Sequence, residues 1–166
     1  MFRIGDYVSY GCKGIHRIVG ETTLNIDGIS RDRAFFVLEP CRKPDGMIYA
    51  PVESADKNMR LIMTPEEAEA FIRTIPDIEI LNIKNPRLRD DTFKEAIRST
   101  DPSGLVRVIK TLILRRRERL QQGKKLTIND MHFLEQAETI LYEELAITLR
   151  RDRSSIPEYL SDLMNR

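Results

Sequence analysis

The grammar of the chain changes at Thr64-Pro65-Glu66-Glu67, and this change limits the possible folds more than any other feature. On its N-terminal side, residues 2–10, 15–24, 34–40 and 47–52 are rich in Val, Ile, Tyr, Phe and Thr, the types that suit strands. Gly5-Asp6, Gly11 to Gly14, Asp27-Gly28 and Pro44-Asp45-Gly46 punctuate them. In the last of these, proline presets a bend and Asp-Gly tolerates positive φ. At the change itself Thr64 can cap a helix, Pro65 suits the first helical position, and Glu67 stands where a capping box needs a carboxylate. The helix that follows presents Ala68, Phe71, Ile72 and Ile75 on one face and meets Pro76.

From about residue 89 the apolar spacing is helical to the end. Phe93, Ala96 and Ile97 mark a short helix. Asp101-Pro102 opens a long one, with Leu105, Val108, Ile109 and Leu112 on one stripe and Gly123 at its end. Thr127 with Asp130 opens the next, striped by Met131, Leu134, Ala137, Leu141 and Leu145, and Ser155 caps a last one carrying Tyr159, Leu160 and Leu163. The pattern predicts an α+β chain. Residues 1–63 form a small twisted β-barrel of Tudor or SH3 type, residues 64–88 a helix and linker, and residues 89–166 an all-α helical domain.

No apolar run approaches the ~20 residues needed to cross a bilayer, and Asp6 breaks any secretory h-region. With only Cys12 and Cys41, the chain reads as cytoplasmic. The net charge of +1 conceals an asymmetry: residues 1–83 carry 10 Lys/Arg against 13 Asp/Glu, and residues 84–166 carry 17 against 13. The second half is the better candidate for a polyanion. Its surplus is mild, so a DNA contact made alone is expected to be weak and salt-sensitive.

No catalytic constellation is visible. His16 and His132 are the only histidines, Cys12-x-x-x-His16 is a metal half-site without a second half, and Gly11-Cys12-Lys13-Gly14 lacks the Gly-Lys-Ser/Thr of a phosphate loop. The expectation is a non-enzymatic protein with no metal and no cofactor.

Two segments point to partners. The first is Arg115-Arg116-Arg117-Glu118-Arg119, with Arg107 and Lys110 before it and Lys124-Lys125 after. It reads either as a guanidinium cluster that clamps phosphates or as a solvated helix end whose cations suit the dipole. The second is Leu24-Asn25-Ile26, which reads either as core or as an exposed edge that accepts a partner's strand, with Tyr49 as its neighbour.

Phe2, Gly5-Asp6, Val8, Tyr10 and Gly14-Ile15, then Pro51-Val52, Ala55 and Arg60, resemble the N-terminal module of the CarD family of bacterial transcription regulators. Phe93-Lys94, Leu126-Thr127, Leu134, Ala137, Ile140-Leu141 and Glu144-Leu145-Ala146 are similar to its helical half. The resemblance implies docking on the RNA polymerase β-subunit lobe through Leu24, Asn25, Ile26 and Tyr49, as a monomer when bound. It further implies a weak, non-sequence-specific contact with promoter DNA that modulates open-complex stability. The residues assigned to that contact are Arg87, Arg89, Lys94, Arg107, Lys110, Arg115, Lys124 and Lys125. The chain departs from the family in lacking tryptophan: Arg89 stands where the family carries an apolar wedge, and Asp130-Met131-His132 replace a basic turn. The alternative is an adaptor that binds polymerase or another protein through the β-module edge without touching DNA.

Overall fold

In the computed structural model, which describes residues 1–24, 33–43 and 46–164, the strand-prone segments pair into one five-stranded antiparallel sheet. The strands are β1 (Tyr7–Tyr10), β2 (Ile15–Thr23), β3 (Ala34–Pro40), β4 (Ile48–Pro51) and β5 (Met59–Leu61), in the order β4-β3-β2-β1-β5. Closure into a barrel is not among the described pairings, which leave β4 and β5 at the two edges. A register shift between Ile18 and Gly20 interrupts the β2–β3 ladder, an irregularity of the kind that bends a sheet.

The first strand is shorter than its composition predicts. Gly5 takes φ 98°, and the Asp6 carboxylate accepts the Arg3 N–H at 2.8 Å, so residues 3–6 form a turn. That turn is still sewn to the sheet, for the Gly5 N–H donates to the Ile18 carbonyl at 2.7 Å. The inner face packs Val8, Ile18, Phe36, Leu38, Ala50, Ala55 and Met59, with the Phe2 ring edge-on to Phe36 at 6.1 Å. β5 was not legible beforehand. It follows a one-turn helix, α1 (Ala55–Asn58), and its Met59, only 1% exposed, fills the core.

His16 is also buried, with Nδ1 3.0 Å from the Gly14 carbonyl. Burial pulls its pKa below the ordinary 6.5, with Lys13 adding to the fall and the Gly14 hydrogen bond opposing it. The unfolded chain therefore binds a proton more readily than the fold does. The stability His16 contributes is complete above its ordinary pKa and is lost as the pH falls below it. Denaturant midpoints of the N-terminal unit should drop on acidification through 6.5, and His16→Asn, which keeps a donor for Gly14 without a titrating ring, should flatten that slope. An equal slope in both proteins would remove His16 from the account.

The chain divides into compact units at Met1–Ile62 and Met63–Arg166. The second unit contains α2 (Pro65–Thr74), α3 (Arg89–Arg98), α4 (Ser103–Gln121), α5 (Ile128–Leu149) and α6 (Ile156–Met164). The capping box of α2 is formed in full: Thr64 Oγ1 accepts from the Glu67 N–H and Glu67 returns to the Thr64 N–H. α4 and α5 make the central helix pair, α3 packs on both, and α2 and α6 pack on α5. Fully buried Glu144 and largely buried Thr148 on α5 hold the backbone of Met63, at 2.9 Å to its N–H and 3.0 Å to its carbonyl.

The stripe expected on α5 holds for Leu134, Ala137, Leu141 and Leu145, all buried. Met131 departs from it and is 53% exposed. At that turn Asp130 takes the inward position instead, with no exposed surface. No described helix is long and apolar enough to cross a membrane.

Candidate functional site

One feature in each unit bears on the partners that the sequence suggests, and each follows from local chemistry. In the sheet it is the edge at β4. Tyr49 pairs across to Val37, which in turn opposes Gly20 on β2, and Tyr49 is 45% exposed while its neighbour Ala50 is buried. Strand alternation explains the difference: Ala50 points to the core with Phe36 as its cross-strand partner, so Tyr49 must face outward. Among the described residues β4 pairs with β3 alone, leaving the other side of its ladder open to an added strand. Leu24 is half-buried just past the end of β2. It lies four residues beyond Gly20, or ~13 Å along the strand from the rung that carries Tyr49. Asn25 and Ile26 lie outside the described residues.

In the helical unit the structure divides the expected cations into three groups. Lys110 is turned inward. Its Nζ donates to the carbonyls of Ile75 at 2.5 Å, Ile78 at 2.7 Å and Pro76 at 3.3 Å, closing the end of the turn that follows α2. With the Leu81 N–H on Thr111 Oγ1 at 2.9 Å, it pins the segment leading to α3 against α4.

Arg89 and Arg115 form the second group, and they converge on one carboxylate. Arg115 Nε lies 2.9 Å from Asp130 Oδ2, and an Arg89 guanidinium nitrogen lies 3.5 Å from Oδ1. Asp130 is wholly buried, while the two arginine side chains are only 22% and 33% exposed. The Asp130 backbone N–H is taken by Thr127 Oγ1 at 3.2 Å, the cap that starts α5. Asp130 thus receives the cap in the first turn of α5 and gathers two cations from α3 and α4.

Arg87, Lys94, Arg107, Lys124 and Lys125 are the third group, and all are exposed. Arg87 lies two residues before α3 and Lys94 in the middle of that helix, and Asn129 at the start of α5 reaches Asp90 on α3 at 3.4 Å. Lys124 and Lys125 precede that same end of α5. Arg107 stands apart from them, eight residues before Arg115 on α4, or ~12 Å along its axis. Leu88 was not foreseen. It ends the short turn Pro86–Leu88 and is 55% exposed beside Arg87. Its exposure is a tertiary fact, because a lone leucine between two arginines carries no periodic signal.

His16 is engaged with Gly14 in the sheet, and among the described residues no group of three or more His, Cys, Asp or Glu could hold a metal ion. What the two features can do is recognise: an open ladder for a strand, and exposed cations beside an exposed apolar side chain for a polyanion.

Two family models match the chain in succession: the CarD-like/TRCF RID domain over residues 2–63 and the CarD C-terminal domain over residues 78–161. Set against curated proteins, the chain has no match. The two models together cover the sheet and most of the helical unit, so the chain belongs to the CarD family of RNA polymerase-interacting transcription factors.

Proposed function

We propose that the protein docks on the lobe of the RNA polymerase β subunit by strand addition along β4, and that its helical unit then biases promoter opening through a weak contact with DNA. The observation that carries the docking half is the exposed Tyr49 on a strand paired on one side only among the described residues. Main-chain hydrogen bonds along such an edge supply affinity, and side chains facing outward from it supply specificity. In the DNA half, Arg87, Lys94, Lys124 and Lys125 meet phosphates, and exposed Leu88 is the apolar side chain able to press on a groove wall. Tethering raises the effective concentration of DNA, so few contacts suffice. About 1.4 kcal/mol of preference for the open state shifts an open/closed ratio tenfold.

A second reading has its own support. Asp130 occupies Arg89 and Arg115, and the carbonyls after α2 occupy Lys110, so three of the eight expected phosphate contacts are engaged within the fold. This favours an adaptor that binds polymerase and leaves DNA alone.

Affinity of the full chain for an isolated β-lobe fragment tests the docking half, with Tyr49→Glu alongside. Binding that the variant weakens tenfold or more, at unchanged circular dichroism, is the expected result; equal affinity would sink the assignment of this edge. Promoter footprinting with polymerase present then separates the two readings. The combined change Arg87→Ala, Leu88→Ala and Lys94→Ala should erase protection near the upstream edge of the bubble without affecting polymerase binding. If the wild-type protein leaves the footprint unchanged, the adaptor reading stands.

A further inference from the structure

At the tip of the α4–α5 hairpin lies an open groove of roughly 560 Å³. Leu120, Ile128 and Met131 line it and are 60%, 73% and 53% exposed, a concentration of large apolar side chains on one surface. Surfaces of that kind mark places where another molecule sits. The groove is held in shape from within: Arg119 Nε donates to the Lys125 carbonyl at 2.6 Å, and the Lys124 N–H returns to the Arg119 carbonyl at 2.8 Å. Leu126 is buried beneath it. The rims differ in charge. α4 supplies Arg116 and the segment before α5 supplies Lys125, while α5 supplies Glu135 and Glu138, with His132 on the same helix also in the lining. Burial holds the Glu138 carboxyl above the usual range; Arg116 and Arg153 offset this in part, and Glu135 adds to it. A further cation placed over this rim would be stabilising.

We propose that the groove is a self-association face, on which a second copy of this chain docks about a two-fold axis running along the groove. The charge pattern selects this occupant. Such an axis lays α4 of one protomer over α5 of the other, so Arg116 meets the partner's Glu135 and Glu138 twice over, by symmetry. Leu120, Ile128 and Met131 meet their own counterparts along the axis. Rims of a single sign would repel a copy of themselves, whereas opposite rims on opposite helices are self-complementary. The hairpin tip is small beside the interfaces of permanent dimers, so the association is weak and concentration-dependent.

Sedimentation velocity of the full chain from low to high micromolar concentration tests this. The wild-type protein should approach the mass of a dimer. Arg116→Glu, Glu135→Arg, and the pair Ile128→Glu with Met131→Glu should each weaken association tenfold or more; all four residues are exposed, so the fold is retained. An equimolar mixture of Arg116→Glu and Glu135→Arg should recover the dimer, because each reversed charge then faces its opposite. A wild-type protein that stays monomeric throughout overturns the proposal and leaves the groove to a different partner. So does a dimer indifferent to these changes, or a charge-reversed pair that fails to recover on mixing.

Discussion

Gly104→Ala should lower the stability of the helical unit by ~3 kcal/mol, although alanine is the better helix former by ~1 kcal/mol. Gly104 is the second residue of α4 and is buried against α3. A Cβ built there would meet the backbone carbonyl oxygen of Ala96 well inside contact distance, and backbone cannot rotate aside as a long side chain can. The two helices would have to separate, opening the packing of Phe93 and Ile97 on α4. Strain therefore outweighs propensity. For a unit of about this size the change corresponds to a fall of roughly 10–20 °C in Tm. Gly123→Ala provides the contrast, since no atom stands within 4 Å of its Cβ and only its φ of 72° is unfavourable, a cost of ~1 kcal/mol. Equal melting temperatures for Gly104→Ala and wild type would show that α3 and α4 are not in close contact there.

Asp130→Asn should have two effects of opposite kind. It keeps the shape of the side chain and removes its charge, leaving Arg115 and Arg89 without a counter-ion. Cutting one partner from a wholly buried ion pair costs ~3–5 kcal/mol. Here both arginines are partly exposed and can turn toward water, so ~2 kcal/mol is the better expectation. The second effect is a gain. Two guanidinium groups released on α3 and α4 become available to phosphates, and duplex DNA should bind more tightly at low salt. The slope of log affinity against log salt should steepen by about one to two units. Fluorescence anisotropy on a labelled duplex, read beside thermal melting, measures both. A destabilised variant whose DNA affinity and salt slope equal those of wild type would mean that Asp130 serves the fold alone, which strengthens the adaptor reading.

These two residues show where legibility ended. The strand segments and the helical stripes were readable because periods of two and of 3.6 residues are local properties. The capping box at Thr64 and Glu67 was readable for the same reason, since its partners are three residues apart. β5 escaped because three residues, Met59 to Leu61, carry no period. Met131 was misplaced because a stripe rule assigns every apolar residue at the right spacing to the core. It could not know that Asp130 would be drawn inward by Arg115. Lys110 looked like any cation in a basic run, yet its partners are carbonyls 32 to 35 residues earlier.

By itself, then, the sequence determined the α+β division at Thr64, the main elements on either side, and the family to which the chain belongs. Each of these rests on neighbours in the chain or on the order of short motifs along it. Only the tertiary structure decided which cations face outward, which glycine must stay a glycine, and which apolar side chains are left uncovered. Those outcomes depend on groups distant in sequence, as Arg89 and Asp130 are, and a charge becomes available or engaged only when the fold brings its partner within a few ångströms.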